Sequence, residues 1–162
     1  ARELDMEPQS AKTMMNSFHN KVPFMKGMLH AVMNRANDKG IIRTLLGRKC
    51  RFELWEPSSF GVHKPLPLNQ AQTEYGMAIK RAFTYKALNR LIQGSAADQT
   101  KKAMVEVYEQ LGVIPLIQVH DELDCSVKNE KEGNQIKEIM ETCVELKVPS
   151  KVDINISESW GG

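Results

Sequence analysis

Three ionisable residues stand together inside an apolar stretch. His120, Asp121 and Glu122 separate Leu116-Ile117-Gln118-Val119 from Leu123-Asp124-Cys125-Ser126-Val127. The alternation on both sides predicts a β-hairpin, with strands over 114–119 and 122–128 and the three residues at its bend. Hairpin bends usually take Gly or Asn, which tolerate φ > 0, and this one has neither. Adjacent carboxylates on a strand end suit a hard divalent cation. Two other readings use the same residues: a solvated bend, and a nuclease or phosphatase drawing on His120, Asp121, Glu122 and Asp124. The latter needs further ligands, and His19, His30 and His63 lack metal-ligand spacing.

Upstream lies the stretch that must position this bend. Residues 71–110 read as helical, with Ala78, Ile79, Ala82, Phe83, Ala87, Leu88, Leu91 and Ile92 as an apolar face. Gly94-Ser95 reads as a bend within it. Arg81, Tyr85, Asn89 and Gln93 follow at four-residue steps and would form one polar stripe. Twelve steps of helix cover roughly 18 Å, enough to follow several base pairs. Amide and guanidinium donors suit the minor groove, whose acceptors are nearly the same for every base pair. A solvated helix face has the same spacing.

Residues 9–39 also read as helical, divided at Pro23, with Pro8 in a first turn and Gly40 at a C-terminus. Met14, Met15, Phe18, Val22, Met25, Met28, Leu29, Val32 and Met33 form a stripe expected to pack in the core. Gly47 marks a turn between Leu45-Leu46 and Arg48-Lys49-Cys50-Arg51-Phe52, a basic hairpin suited either to phosphate or to solvent. Residues 54–70, with Pro57, Pro65 and Pro67, read as a loop. An amphipathic helix over 131–146 points Ile136, Ile139, Met140, Cys143 and Val144 inward. Val152, Ile154 and Ile156 alternate as a final strand. The fold class is α+β: a helical N-terminal half packed on a small, mostly antiparallel sheet.

The chain has 162 residues, 41% hydrophobic and 26% charged, which suits a folded domain or a large piece of one. No apolar run reaches the roughly 18 residues of a membrane span, and no signal peptide is visible. The three cysteines form no CxxC pair and read as reduced cytosolic thiols. The first residue is Ala, which reads as a cleavage point or the inside of something longer. Charge is uneven: residues 1–120 hold 17 Lys and Arg against 10 Asp and Glu, and residues 121–162 hold 5 against 10. A basic body with an acidic tail suits a polyanionic partner.

The ordered set of motifs resembles the C-terminal part of family A DNA polymerases, the DNA polymerase I type, in bacteriophage or bacterial versions. Val119-His120-Asp121-Glu122-Leu123 resembles motif C. Asn89-x-x-x-Gln93-Gly94-x-Ala96-Ala97-Asp98 resembles the helix before it. Thr44-Leu-Leu-Gly-Arg-Lys resembles the Thr-Leu-x-Gly-Arg-Arg hairpin, and Ser157-Glu158-Ser159-Trp160 the family's ending. The resemblance implies that residues 1–70 are helices, basic hairpin and loop of the fingers, and residues 71–162 the palm with motif C.

It further implies template-directed DNA synthesis, joining a deoxynucleoside triphosphate to a primer 3′-hydroxyl with two Mg²⁺ ions. Those ions lower the pKa of the attacking hydroxyl and stabilise charge on the transferring phosphate. Asp121 matches a catalytic, metal-holding aspartate, Glu122 its auxiliary neighbour, and His120 a residue beside the primer terminus. Asn89 and Gln93 match minor-groove contacts of the primer-template. Where many bacterial members carry Arg four residues before the Asn, this chain has Tyr85, with Lys86 beside it. Lys86, Arg81 and Arg48 are then the candidates for phosphate.

The family also requires an Asp-Tyr-Ser-x-x-Glu segment and an Arg-x-x-x-Lys-x-x-x-Phe-Gly-x-x-Tyr-Gly helix, and neither is in this sequence. Ala1-Arg2-Glu3-Leu4 resembles the sequence just after that helix. The expectation is an excised or naturally split polymerase piece, inactive alone, needing the missing upstream segment in cis or in trans. The alternative is a non-catalytic module that binds duplex DNA. No membrane partner is expected; the expected location is the cytoplasm of a bacterial or phage-infected cell.

Overall fold

A computed structural model describes residues 7–160. They fall into two compact units. One comprises the chain up to Arg43 together with Arg48–Leu91; the other comprises Thr44–Gly47 and the chain from Ile92 onward.

The first unit begins with helices α1 (Pro8–Lys21) and α2 (Pro23–Lys39), each with Pro in its first turn, where a missing N–H costs nothing. Gly40 ends α2 at φ 65°, and its N–H donates to Ala36 O; this is the left-handed cap Gly favours. Strands β1 (Ile41–Arg43) and β2 (Lys49–Arg51) then pair antiparallel, Ile42 opposite Cys50. Strand β3 (Leu54–Pro57) is the centre of a three-stranded antiparallel sheet, flanked by β4 (Leu66–Pro67) and β5 (Ile79–Arg81). Helix α3 (Leu68–Tyr75) lies between those edge strands in sequence. A 3₁₀ turn (Thr84–Lys86) leads into the long helix α4 (Ala87–Leu111). The core of this unit is Ala36, Ile42, Phe52 and Ala87, with Val32, Cys50 and Leu91 against it.

The second unit holds most of α4, the antiparallel pair β6 (Pro115–Val119) and β7 (Glu122–Cys125), and helix α5 (Glu130–Thr142). Asn129 caps α5 by accepting the Glu132 N–H at 3.0 Å, while Glu132 accepts the Lys128 N–H at 2.7 Å. This reciprocal arrangement resembles a capping box. Val107, Val113, Ile136 and Ile139 form one buried cluster, joined by Cys125. Ala103, Cys143 and Val144 form another, joined by Leu123. One face of the hairpin is thereby fixed on helices α4 and α5. The turn at Thr44–Gly47 is held to α4 by the Leu45 N–H, which donates to Ser95 Oγ at 2.9 Å.

Mixed helix and small antiparallel sheets agree with the expected class, but several elements differ. Among the described residues the strands form three small sheets. The single helix expected over 71–110 is α3, β5, the 3₁₀ turn and α4. Gly76 ends α3 at φ 75°, and Phe83 adopts φ 61° before the next helical turn. Residues 79–81 answer to β3, with Trp55 opposite Arg81, a long-range pairing that local periodicity does not report. Helix α4 runs unbroken through Gly94-Ser95. The expected loop over 54–70 holds β3, β4 and the start of α3, which leaves only 58–65 between strands.

The expected strand at 151–156 does not form; Ile154 and Ile156 instead lie over Gly133 of α5, where an added Cβ would sit 3.0 Å from the Ile154 Cδ1. Helix α1 buries no residue, and Met14, Met15 and Phe18 are exposed. The expected core role of the Met stripe is met only in part, by half-buried Val22, Met25, Met28, Leu29, Val32 and Met33. Residues 1–4 lie outside the described residues. Among the described residues no helix is long and apolar enough to cross a membrane.

Candidate functional site

The bend between β6 and β7 consists of two residues. Val119 pairs with Glu122, so His120 and Asp121 form the turn and Glu122 opens β7. His120 has φ 54°. A positive φ at the first central position of a two-residue hairpin turn is ordinarily Gly's, and a residue with a Cβ is strained there. Gln118 donates its side-chain amide to the His120 carbonyl and braces the turn. His120, Asp121 and Glu122 are all exposed. Behind them Asp124 is half-buried, and its Oδ2 is closed to water without a hydrogen bond. Burial, reinforced by the Asp124 charge, pushes the Cys125 thiol above its ordinary pKa.

His120→Gly is expected to stabilise the chain by about 0.5–1 kcal/mol by relieving this backbone. Denaturant unfolding of the two forms measures it. A loss of stability would mean that the imidazole makes a compensating contact.

The polar stripe is divided by the fold. Asn89 and Gln93 are exposed one turn apart on α4, Tyr85 is exposed in the preceding 3₁₀ turn, and Arg81 is on β5. Arg81 is a clasp within the first unit. Its Nε donates to Asn37 O at 3.0 Å and its Nη1 to Phe52 O at 2.8 Å. The guanidinium also lies 4.5 Å from the centre of the Trp55 ring. A Cβ at position 40 would approach its central carbon to 2.7 Å, so Gly40 makes room for it. Exposed Lys86 holds its ammonium 5.2 Å from the Phe83 ring and 5.6 Å from the Tyr85 ring. Arg48 is exposed just before β2.

Charge follows the two units more sharply than it follows the chain. Among the described residues the first unit carries 14 Lys and Arg against 5 Asp and Glu, and the second carries 7 against 13. The helical stripe, the basic hairpin arms and Lys86 are mainly on the positive unit, and the His-Asp-Glu bend is on the negative one. Polyanion contact is favoured on the former, and cation binding on the latter. Sequence reasoning missed two features: the Ser95 anchor for the Thr44–Gly47 turn, and the exposure of Phe60 and Val62 at a loop tip. A sequence signal existed only for the second, as two apolar residues astride a Gly in a Ser/Pro-rich stretch.

The family model for DNA polymerase family A matches residues 1–162. The chain belongs to DNA polymerase family A. It is 40% identical over 161 residues to a DNA-directed DNA polymerase of Pseudomonas phage M6, covering 99% of this chain and 21% of that protein. It is 30% identical over 169 residues to DNA polymerase I of Lactococcus lactis subsp. lactis, covering 99% of this chain and 17% of that one. The chain thus spans about a fifth of the length of these relatives. Its fold is similar to the POL domain of Pol1 from M. smegmatis in complex with DNA primer-template and dNTP. The TM-score is 0.69 at 29% identity, covering 92% of this chain and 25% of that one.

Family A polymerases are metal-dependent enzymes, so the bend can be tested against a metal. Its donors fit in kind: two adjacent, exposed carboxylates suit a hard cation. They fall short in number. Among the described residues no three His, Cys, Asp or Glu side chains gather as a metal site. Mg²⁺ ordinarily completes its shell with waters and substrate phosphates, and a partial protein site of this kind is compatible with that habit.

Proposed function

We propose that this chain is the fingers and palm piece of a DNA polymerase that extends a primer on a template, with residues 1–70 in the fingers and 71–162 in the palm. The observation that carries the reading is the His120-Asp121-Glu122 bend. It presents one carboxylate on a braced, strained turn and a second at the start of β7, in a family A chain. Asp121 and Glu122 would hold Mg²⁺ together with groups from the upstream segment and the phosphates of the incoming deoxynucleotide. When bound, the two ions of the complete enzyme supply electrostatic stabilisation of the transferring phosphate.

The chain's own residues position the nucleic acid. Asn89 and Gln93 donate to minor-groove acceptors, which are common to all sequences and so allow a duplex to slide through. Lys86 and Arg48 meet phosphates, Tyr85 lies beside them, and His120 lies beside the primer terminus. The isolated chain is inactive because an upstream segment, in cis or in trans, must complete the metal and nucleotide sites. The setting is the cytoplasm of a bacterial or phage-infected cell.

A non-catalytic duplex-binding module is the second reading, favoured by the positive first unit. Both readings require the chain to bind primer-template with an affinity that falls steeply with salt. Asn89→Ala and Gln93→Ala are each expected to weaken binding by about 2- to 10-fold, the value of one hydrogen bond, equally on different sequences. Fluorescence anisotropy on two unrelated duplexes checks this, and unchanged affinity in both variants would remove α4 from the DNA contact. Only extension in the presence of the upstream segment separates the polymerase piece from the module.

A further inference from the structure

We propose that the loop between β3 and β4, residues 58–65, is a prong on which an unpaired nucleobase stacks, with Phe60 as the platform. The proposal rests on the DNA-binding reading above and extends it to a site outside the helical stripe and the His-Asp-Glu bend.

Phe60 is 107% and Val62 104% exposed, on either side of Gly61. Two apolar side chains held wholly in water forgo the stabilisation that burial would bring, and the loop that displays them is fastened at its base. The Ser58 N–H donates to Ala78 O at 2.9 Å. The Tyr75 hydroxyl donates to Lys64 O at 3.0 Å, and the His63 ring meets the Tyr75 ring edge-on at 6.1 Å. Gly61 has φ 150°, and a Cβ there would come within 2.9 Å of His63 Nε2. The inner side of the loop thus fixes its course while the tip faces outward.

The surroundings favour a polyanion. The sequence has no Asp or Glu between Glu56 and Glu74, a span that includes Lys64. The loop belongs to the unit with 14 Lys and Arg against 5 Asp and Glu among the described residues. A phenyl ring has no donor or acceptor with which to read groove edges, whereas an unpaired base offers an open face for stacking regardless of its identity.

The test is anisotropy, at one fixed salt concentration, with a primer-template bearing a single-stranded overhang and with the blunt duplex. A 2-aminopurine in the overhang reports stacking. Phe60→Ala is expected to weaken overhang binding by about 5- to 150-fold, to relieve 2-aminopurine quenching, and to leave the blunt duplex unaffected. Phe60→Leu should behave like Phe60→Ala, and Phe60→Trp like the parent.

Equal overhang binding by Phe60→Ala and the parent would overturn the prong and leave the DNA-binding reading intact. So would full binding by Phe60→Leu, or an effect seen instead on self-association or on capture of the upstream polymerase segment. A parent chain that binds neither DNA overturns the prong together with the reading beneath it.

Discussion

Asp121→Asn, in the polymerase assembled from this chain and its upstream segment, is expected to lower the single-turnover extension rate by roughly 10²- to 10³-fold. Primer-template affinity should not change. The substitution preserves size and removes one negative charge from an exposed position in a two-residue turn. The turn itself is set by the pairing of Val119 with Glu122 and by the Gln118 brace, and neither involves the Asp121 side chain. What is lost is a hard, acceptor-only oxygen pair, the property a divalent cation requires. Glu122→Gln should cost less, in keeping with an auxiliary role. Rapid-quench extension alongside anisotropy separates rate from binding. An unchanged rate would remove the bend from the chemistry.

The largest expected loss of stability is at Ile42. Its side chain is 2% exposed and sits among Ala36, Phe52 and Ala87, with Val32, Cys50 and Leu91 around them. Those neighbours belong to α2, to β2 and the residue after it, and to the start of α4, so one side chain holds three segments together. Ile42→Ala is expected to destabilise the chain by about 2–5 kcal/mol, combining lost transfer energy with a residual cavity. Denaturant unfolding followed by the fluorescence of Trp55, in the same unit, is the measurement. A cost under about 1 kcal/mol would mean that the cluster collapses to fill the space. DNA binding through the positive unit should weaken with it, because the basic hairpin arms are built on β1 and β2.

What was legible in the sequence was mostly local. Pro8, Pro23 and Gly40 announced the limits of α1 and α2 because their effects act within one turn. Buried Ile136 and Ile139 followed from one helix's own periodicity, but α5 ends at Thr142 rather than at the expected 146, so Cys143 and Val144 are buried just past its end. Failures came where a distant partner decides. Ile79-Lys80-Arg81 is a strand because β3 lies beside it. Val152, Ile154 and Ile156 alternate like a strand, but Ile154 and Ile156 pack over Gly133 instead.

The site shows the same division. The types and order of His120, Asp121 and Glu122 exposed the candidate chemistry, and the absence of Gly hinted at the strain found at φ 54°. The stripe, in contrast, assumed helix from Arg81 onward. Phe83 at φ 61° breaks that helix before it begins. Arg81 is thereby turned toward Asn37, Phe52 and Trp55, a clasp that no spacing rule anticipates.

The most direct measurement is primer extension with Mg²⁺ and deoxynucleoside triphosphates, run with this chain alone, with an upstream family A polypeptide alone, and with both. The expected result is extension only in the mixture, slowed by roughly 10²- to 10³-fold by Asp121→Asn. Extension by this chain alone would contradict the need for an upstream segment. A mixture that binds primer-template and extends nothing would contradict the catalytic role of the His-Asp-Glu bend and leave a duplex-binding module in its place.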